Sequence, residues 1–196
     1  MSPRTREFAE DELLIKAMHL FWHKGYAGTS VRDLVENTGV AHAGLYAAFK
    51  NKDGLFKASL RKYATEILGK NFANLEHPRA GRAEIETLFS NATKAFQSGI
   101  LSKGCFVANS AVEFAGAPGP VTDIVTRCFN REVKAFEHAL KNAVATGQAL
   151  PGLKIKRVAH AMATTFFGMS AIARAGASRT AIKDAAAAAV AQMNTA

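Results

Sequence analysis

Cysteine and proline are both scarce in this chain, which has two Cys and five Pro among its 196 residues. Two cysteines cannot form the disulfide framework of a small secreted domain, so the sequence favours a reducing compartment. The apolar runs are broken by charges or fall short of the roughly 20 residues that a membrane span needs. The N-terminal segment also lacks the apolar core of a secretory signal. We therefore expect a cytoplasmic protein without a membrane partner.

The sequence also lacks the signatures of common catalytic sites. It contains no zinc-binding spacing of His and Glu, no nucleophile elbow and no phosphate-binding glycine loop. His19 and His23 are four residues apart in a predicted helix, but no third metal ligand lies near them in the sequence. These absences predict a protein that is not an enzyme and that holds no metal ion or cofactor.

Helical periodicity runs through almost the whole sequence, and strand signals are nearly absent. In residues 10–24 apolar side chains recur at the spacing of one buried helix face, and Gly25 follows as a helix end. Thr29 stands at the N-cap position of a second short helix, which Gly39 ends. The sequence therefore predicts an all-α fold with about nine helices. The later helices are expected at about 41–47, 52–72, 82–98, 106–115, 121–146, 154–175 and 179–194.

Residues 29–49 have the pattern of a helix-turn-helix, in which two short helices meet at a glycine. Gly39 would allow the sharp turn, and the second helix of such a motif enters the major groove of DNA. The formal net charge of +9 suits a nucleic-acid partner, although most of the excess lies after residue 70. A local cluster of cations follows the motif, with a solvated helix face as its alternative explanation. Its members are Lys50, Lys52, Lys57, Arg61 and Lys62.

The residues of this segment also resemble a known family. GYAGTSVRDLVENTGVAHAGLYAAFKNKDGLF, at 25–56, is similar to the head of the tetracycline-repressor (TetR) family, and the similarity covers about 10–62. KGCFVANSAVEFA, at 103–115, is similar to a segment found in a subset of these regulators. The resemblance implies an N-terminal arm and a helix-turn-helix DNA-binding domain at 1–50. Helix four, from about 51, would join it to an effector-binding and dimerisation domain at 51–196.

The resemblance also assigns DNA contacts by position. Phosphates would be contacted from the starts of the second and fourth helices and from the third helix, and base edges from residues 41–46. A loose basic arm before residue 10 would reach the minor groove. The residues concerned are Arg4, Arg6, Thr29, Arg32, Ala41, His42, Ala43, Gly44, Tyr46, Lys50 and Lys52.

The third helix departs from the family pattern at three positions. Ala41, Gly44 and Ala47 stand where the family often has Ser, then Thr or Ser, then His or Tyr. Side-chain donors are thereby lost from the reading face, which leaves His42 as its chief polar group. We therefore expect phosphate contacts and DNA shape to supply a large share of the binding.

The C-terminal part is rich in Phe and Met, which suit the walls of an apolar effector pocket. Aromatic residues at helical spacing are more often plain core, and this alternative stays open. Cys105, Asn109 and Glu113 share one helix face. They either supply polar contacts to a pocket or form hydrogen bonds with neighbouring backbone. The predicted pocket residues, these three among them, are Phe89, Phe96, Cys105, Asn109, Glu113, Phe129, Met162 and Phe166.

Cys105 is also a candidate for a sensing thiol. It follows Lys103 near a predicted helix start, and both a cation and a helix N-terminus lower the pKa of a thiol. The alternative is that Cys105 is a small buried apolar residue, as most free cysteines are. Cys128, in the middle of a predicted helix, is expected to be inert.

Small residues dominate the last two predicted helices, 154–175 and 179–194, and the second is nearly an alanine rod. Helices of this kind approach each other closely, so two copies would build a four-helix bundle between two chains. We therefore expect a homodimer formed through these helices. Its two recognition helices would reach successive major grooves, which requires a near-palindromic double-stranded operator.

Three functions are compatible with these features. The first is a ligand-responsive DNA-binding transcriptional regulator, in the family's usual mode a repressor that a small hydrophobic effector releases from its operator. The second is a regulator that senses oxidants or electrophiles through Cys105. The third, from a different class, is a helical small-molecule carrier that does not bind DNA. A steep salt dependence of DNA affinity would separate both regulators from the carrier.

Overall fold

Helices make up most of the backbone in the computed structural model, which describes residues 3–97 and 103–195, with side chains for 10–96 and 103–195. Within these ranges no strand occurs. None of the described helices is both long and apolar enough to cross a bilayer. When the long fourth helix is counted as one rod, the described residues form nine helices, so the predicted all-α fold is confirmed.

Three helices form an N-terminal head: α1 (Pro3–Lys24), α2 (Val31–Thr38) and α3 (His42–Phe49). The apolar face of α1 packs against α2 and against the helix that follows the head. Leu34 of α2 and Leu45 of α3 are fully buried, and each fastens its short helix to this core. Two helices of eight residues are too short to be stable alone, so their folding depends on this burial.

The N-terminal arm differs from the prediction. We expected a loose arm that carries Arg4 and Arg6, but α1 begins at Pro3, so the backbone of both residues is helical. Proline is tolerated at the first position of a helix because its missing N–H would have no helical partner there. The side chains of Arg4 and Arg6 lie outside the described residues, and their minor-groove contact stays a prediction.

A continuous helical rod leads from the head into the body. At the head end, Phe56 packs edge-on against Phe21 of α1, with ring centroids 5.1 Å apart. At the body end, Phe72 packs against Phe136, with centroids 5.7 Å apart. The rod therefore shares a core with both parts of the molecule. It comprises α4 (Lys52–Tyr63), a π-helical turn (Ala64–Leu68) and α5 (Gly69–Phe72).

The body packs its helices around an aromatic centre. The rings of Phe72, Phe89, Phe136 and Phe166 lie in mutual contact, mostly edge to face, which suits the charge distribution of aromatic rings. The body helices are α6 (Arg82–Gln97), α7 (Phe106–Glu113), α8 (Pro120–Ala145), α9 (Ile155–Arg174) and α10 (Arg179–Ala191). The longest, α8, lies along α9, and α10 packs against both α6 and α9.

Candidate nucleic-acid interface

The start of α2 is held by a reciprocal cap. The Ser30 hydroxyl accepts the N–H of Asp33 at 3.0 Å, and the Asp33 carboxylate accepts the N–H of Ser30 at 2.7 Å. Lys24 donates to the same carboxylate at 2.6 Å. Lys24 and Ser30 together hold the pKa of Asp33 far below its usual range. The N-cap predicted at Thr29 is therefore wrong by one residue.

Thr29 lies inside the head instead. Its side chain is fully buried, and its hydroxyl donates to the carbonyl oxygen of Gly25 at 2.6 Å. Gly25 has a φ of 77°, which glycine adopts without strain. Thr29 thus stabilises the turn between α1 and α2. The phosphate contact predicted for Thr29 stays a prediction, and it cannot come from this hydroxyl unless the turn opens.

The turn between α2 and α3 has the predicted glycine at its centre. Gly39 has a φ of 74°, and its N–H donates to the carbonyl of Val35 at 2.9 Å, which ends α2. The buried hydroxyl of Thr38 donates to the carbonyl of Leu34 at 2.7 Å and accepts the N–H of Val40 at 3.3 Å. No buried polar side chain is left unpaired in this turn among the described residues. The direction in which α3 leaves α2 is therefore fixed by the chain itself.

The short helix α3 is almost entirely exposed. Residues 41–44 and 47–48 all face solvent, and Leu45 is the buried anchor. The rings of His42 and Tyr46 lie 4.3 Å apart, edge to face, on the accessible side. No side chain caps the helix at Ala41, so N–H groups of its first turn remain without a helical or side-chain acceptor. Such a turn is favourable for a phosphate oxygen.

The N-terminal end of α4 adjoins α3. Asn51 caps this helix by accepting the N–H of Gly54 at 2.8 Å. Lys50 is exposed and has a φ of 68°, the one positive value at a non-glycine residue in the described part of the chain. The Lys52 ammonium lies 4.2 Å from the ring centre of Tyr26, a cation–π contact that holds it at the helix start. Lys50 and Lys52 thus lie beside the exposed face of α3.

The predicted cation cluster separates into two groups. Lys57 pairs with Asp53 at 2.6 Å, and Lys62 pairs with both Asp11 and Glu66, so these two charges are balanced within the chain. In the described part of the chain, neither Lys50 nor Arg61 has an ion-pair partner, and both are exposed. Arg32, on α2, is exposed and pairs with Glu36 at 2.7 Å. Such an exposed pair is weak and exchanges readily for a phosphate.

Two charged side chains of the body hold the end of α1. The Glu113 carboxylate accepts the backbone N–H groups of Tyr26 and Ala27, at 2.9 and 2.7 Å. The Arg174 guanidinium donates to the carbonyls of Trp22 and His23, at 2.8 and 3.0 Å. A cation suits the free carbonyls at a helix end, and a carboxylate suits free amides. We call this pair of contacts the head clamp.

A third contact crosses the same joint between head and body. The indole N–H of Trp22 donates to the carbonyl oxygen of Gly104 at 3.1 Å, and the Trp22 side chain is buried. Sequence reasoning missed this joint, because its partners lie more than 80 residues apart along the chain and no local pattern marks them.

The aromatic part of the predicted effector pocket is core. Phe89, Met162 and Phe166 are buried. Phe96 and Phe129 are partly buried and pack against the same core. Phe89 and Phe166 line two different cavities. Their placement follows the alternative explanation, in which aromatic residues at helical spacing simply fill the interior.

The polar part of the predicted pocket ties down backbone. The Asn109 amide donates to the carbonyl of Lys103 at 2.8 Å, and Glu113 belongs to the head clamp. Cys105 is buried, and its burial raises its pKa to about 11, so the lowered pKa predicted for this thiol is wrong. Desolvation outweighs the lowering effect of the backbone N–H groups at the start of α7. Burial likewise raises the pKa of Cys128 to about 11.

No group of three or more His, Cys, Asp or Glu side chains that would hold a metal ion is found within the described residues. His19 stacks on Trp22, with ring centroids 6.1 Å apart. Burial, with Lys103 as a smaller cause, lowers the pKa of His19.

A short exposed helix that follows a glycine turn on a three-helix core defines the helix-turn-helix class of DNA-binding proteins. The family model of bacterial regulatory proteins, tetR family, matches residues 13–59. The model of the tetracyclin repressor-like C-terminal domain matches residues 81–189, more than half of the chain. The chain belongs to the TetR family, and the resemblance found in its sequence is confirmed.

Known relatives cover most of the chain. The HTH-type transcriptional repressor ComR of Escherichia coli (strain K12) is 32% identical over 89% of this chain and 84% of its own length. The HTH-type regulator YezE of Bacillus subtilis (strain 168) is 32% identical over 74% and 75%. A cysteine mutant of the TetR family regulator CifR, solved with a 26-bp double-strand operator DNA, has a TM-score of 0.79 at 26% identity, over 92% of this chain and 94% of that chain.

Proposed function

We propose that this chain is a transcriptional repressor that binds a near-palindromic operator as a homodimer and leaves it when a small effector occupies the body. The proposal rests chiefly on α3, an exposed apolar helix in which Leu45 is the buried anchor. A helix that contributes so little to the chain's own core is available for a partner. Membership of the TetR family and the operator-bound CifR structure support duplex DNA as that partner.

The DNA contacts in this proposal are mostly with phosphate. Tyr46, Lys50 and Lys52 surround the exposed face of α3, and Arg32 can exchange its exposed partner Glu36 for a phosphate. The free N–H groups at the start of α3 add a phosphate site that needs no side chain. Base readout falls to His42, with methyl contacts from Ala41 and Ala43 and close approach at Gly44. DNA shape then carries much of the specificity.

The dimer in this proposal forms through α9 and α10. Both helices expose small residues on their outer faces, which permits close approach of a second copy. Ile172 on α9 is 40% exposed and is one of the few large apolar side chains that face solvent in the described residues. A four-helix bundle between two chains would cover this surface. The small residues concerned are Thr164, Gly168, Ala171, Ala175, Ala181, Ala187, Ala188 and Ala191.

Release by an effector requires that the body have two conformations and that the effector prefer one of them. A ligand changes DNA affinity only through its difference in affinity for the two states, about 10⁴-fold for a switch from 1:99 to 99:1. The rod of α4 and α5 and the head clamp are the elements that join body to head. A shift of either would change the separation of the two α3 helices in the dimer.

A DNA-binding titration against salt tests this proposal. Purified protein is titrated against DNA from the intergenic region beside its gene, and log Kd is plotted against log salt concentration. A repressor of this kind gives a steep linear dependence and a protected palindrome in footprinting. The Lys50→Ala variant should reduce the slope by about 1, the value expected for one lost phosphate contact.

Lys57→Ala is the matched control. It removes the same charge from the same region, but Lys57 is already paired with Asp53, so the slope should stay close to that of the wild type. Equal slopes for all three proteins, or the absence of a protected palindrome, would contradict the proposed interface. A small-molecule carrier would give neither the slope nor the footprint.

A further inference from the structure

A cavity of about 150 Å³ opens in the body between the helical rod and α8. Its walls are largely apolar, with Ala64 and Leu68 from the π-helical turn, Phe72 from α5 and Cys128 from α8. An apolar cavity of about this volume holds a single benzene ring in another protein. None of the eight pocket residues predicted from the sequence lines this space.

One polar side chain is buried at this cavity without a partner. Glu132 of α8 lines the cavity, is 1% exposed, and neither of its carboxyl oxygens has a hydrogen-bond partner. Burial raises the pKa of Glu132 well above its ordinary value. A buried carboxyl group without a hydrogen bond is strongly unfavourable, and such groups are rare in native proteins.

Neither of the two arginines that line the cavity, Arg127 and Arg131, pairs with Glu132. Arg131, its neighbour in sequence, donates to both oxygens of Glu76, at 2.6 and 2.8 Å. The chain therefore leaves the Glu132 carboxyl group at the cavity without a hydrogen-bond donor. A ligand that brings its own donor would remove this deficit.

We propose that the cavity is the effector site, and that it takes a small amine of about one ring in size whose nitrogen donates to the Glu132 carboxylate. An ammonium group offers up to three donors and a charge opposite to that of the carboxylate. An ammonium group stabilises the ionised form of Glu132, which burial disfavours, whereas an anionic ligand would disfavour that form further. Two cations, Arg127 and Arg131, also line the cavity. They oppose an amine only weakly, since Arg131 is neutralised by Glu76 and Arg127 is exposed to solvent.

The π-helical turn of the rod forms one wall of this cavity. The π-helical turn at Ala64–Leu68 contributes two apolar side chains, and beyond it α4 runs to Asn51 beside α3. Turns of this type recur at functional sites because they hold one more residue than the α-helix around them. Next to the turn, any side chain at Gly69 would meet the Arg131 guanidinium at 2.9 Å. A ligand against this turn therefore acts on the element that carries the head.

Calorimetric titration of the full chain with three matched probes tests the site. Benzylamine combines one ring with an ammonium group, benzyl alcohol keeps the ring with a neutral donor, and benzoate carries the opposite charge. We expect benzylamine to bind the wild type more tightly than benzyl alcohol, and benzoate not to bind. Glu132→Gln should weaken benzylamine by about 10- to 100-fold and benzyl alcohol much less, because only the charged interaction is lost.

Two further variants distinguish the site from general effects of mutation. Glu137→Gln makes the same chemical change on the same helix at a residue that does not line the cavity, and it should leave all three probes unchanged. Cys128→Met fills the cavity from its wall, so it should weaken benzylamine and benzyl alcohol alike. No benzylamine binding by the wild type, or equal benzylamine affinity in the wild type and Glu132→Gln, overturns the proposal.

The role as effector site rests on the proposed function, and a separate measurement tests it. Operator affinity is measured by fluorescence anisotropy with and without saturating benzylamine, and we expect it to fall at least tenfold with the amine. An unchanged operator affinity overturns the assignment as effector site. A ligand-free protein that ignores its operator overturns the proposed function alone, since the probe titrations contain no DNA.

Discussion

The head and the body differ in how completely they pair their buried polar side chains. In the head, the buried hydroxyls of Thr29 and Thr38 each donate to the carbonyl four residues earlier, so the turns around α2 are complete without a partner. In the body, Glu132 is buried with both oxygens unpaired. Satisfied groups favour one conformation, whereas an unsatisfied group favours whichever state supplies a donor. The turns of the head are therefore complete without a partner, whereas the body holds a buried carboxyl group that still lacks a donor.

The largest expected effect comes from Gly54→Ala, which tests the rigidity of the head. A Cβ at Gly54 would collide with the backbone carbonyl oxygen of Phe49, so the junction of α3 and α4 would have to open. We expect a loss of about 3 kcal/mol in the free energy of unfolding, measured by urea denaturation, and loss of operator binding.

Gly44→Ala is the control for that prediction. Its Cβ would meet only the end of the Val40 side chain, at 3.0 Å, and alanine favours the helix by about 1 kcal/mol. The variant should fold at least as well as the wild type. If Gly54→Ala were tolerated equally well, the close contact between α3 and α4 would not constrain the head.

Glu132→Gln is expected to have the next largest effect and concerns the body. The pKa of Glu132 is raised in the folded state, so the folded protein keeps a proton that the unfolded chain loses above its ordinary pKa near 4.5. The contribution of this group to stability is thus fully present below that pH and is lost as the pH rises through the folded pKa. Glutamine does not ionise, so the variant should lack this loss.

The measurement is the difference between Glu132→Gln and the wild type in the free energy of unfolding, from pH 4.5 to 8. We expect the difference to shift in favour of the variant by about 2 kcal/mol over this range. Other titrating groups are common to both proteins and cancel. A difference that does not change with pH would mean that Glu132 finds a partner in solution, and the contrast between head and body would lose its basis.

Glu113→Ala probes the joint between the two regions, with a smaller effect. The substitution removes two hydrogen bonds to the amides of Tyr26 and Ala27, and we expect about 1 kcal/mol of lost stability by thermal unfolding. Hydrogen exchange at these two amides should become faster. Glu86→Ala, which breaks an exposed pair with Arg82 on α6, should change neither quantity noticeably. Unchanged protection at both amides in Glu113→Ala would show that the head clamp does not hold in solution.

The smallest effect is expected for Ser59→Ala, at the one buried hydroxyl of α4 that lacks a partner in the described residues. Removal of an unpaired hydroxyl should be neutral or stabilising by up to about 1 kcal/mol in urea denaturation. The comparison variant is Ser110→Ala, whose hydroxyl donates to Phe106 at 2.8 Å and whose loss should destabilise slightly. If Ser59→Ala were instead less stable than Ser110→Ala, the Ser59 hydroxyl would have a hydrogen-bond partner in solution.

Local patterns predicted most of the fold, because helix ends and turns depend on neighbouring residues. Gly39 marked the turn before α3 correctly, and the helix boundaries agree within a few residues except at the start of α1. The error at Thr29 has a simple origin. Two adjacent hydroxyl residues, Thr29 and Ser30, both suit an N-cap, and the packing of the head, which the local sequence does not reveal, decides which of them turns inward.

The candidate site in the body was beyond sequence reasoning for a different reason. The partners of Glu113 lie 86 and 87 residues away, so its role depends on how α7 meets α1. The isolation of Glu132 depends on where Arg131 points and on the π-helical turn that faces it. An orphaned carboxyl group is defined by what is missing around it, and a linear sequence does not record this.

The position of Trp22 offers a practical advantage. This is the only tryptophan in the chain, and its indole bridges to Gly104 at the joint between head and body. Excitation at the long-wavelength edge of the tryptophan absorption band therefore selects a single chromophore at the joint between head and body. Hydration of that ring would shift its fluorescence emission to longer wavelength. The emission of Trp22 would therefore report a movement of the head without an attached dye.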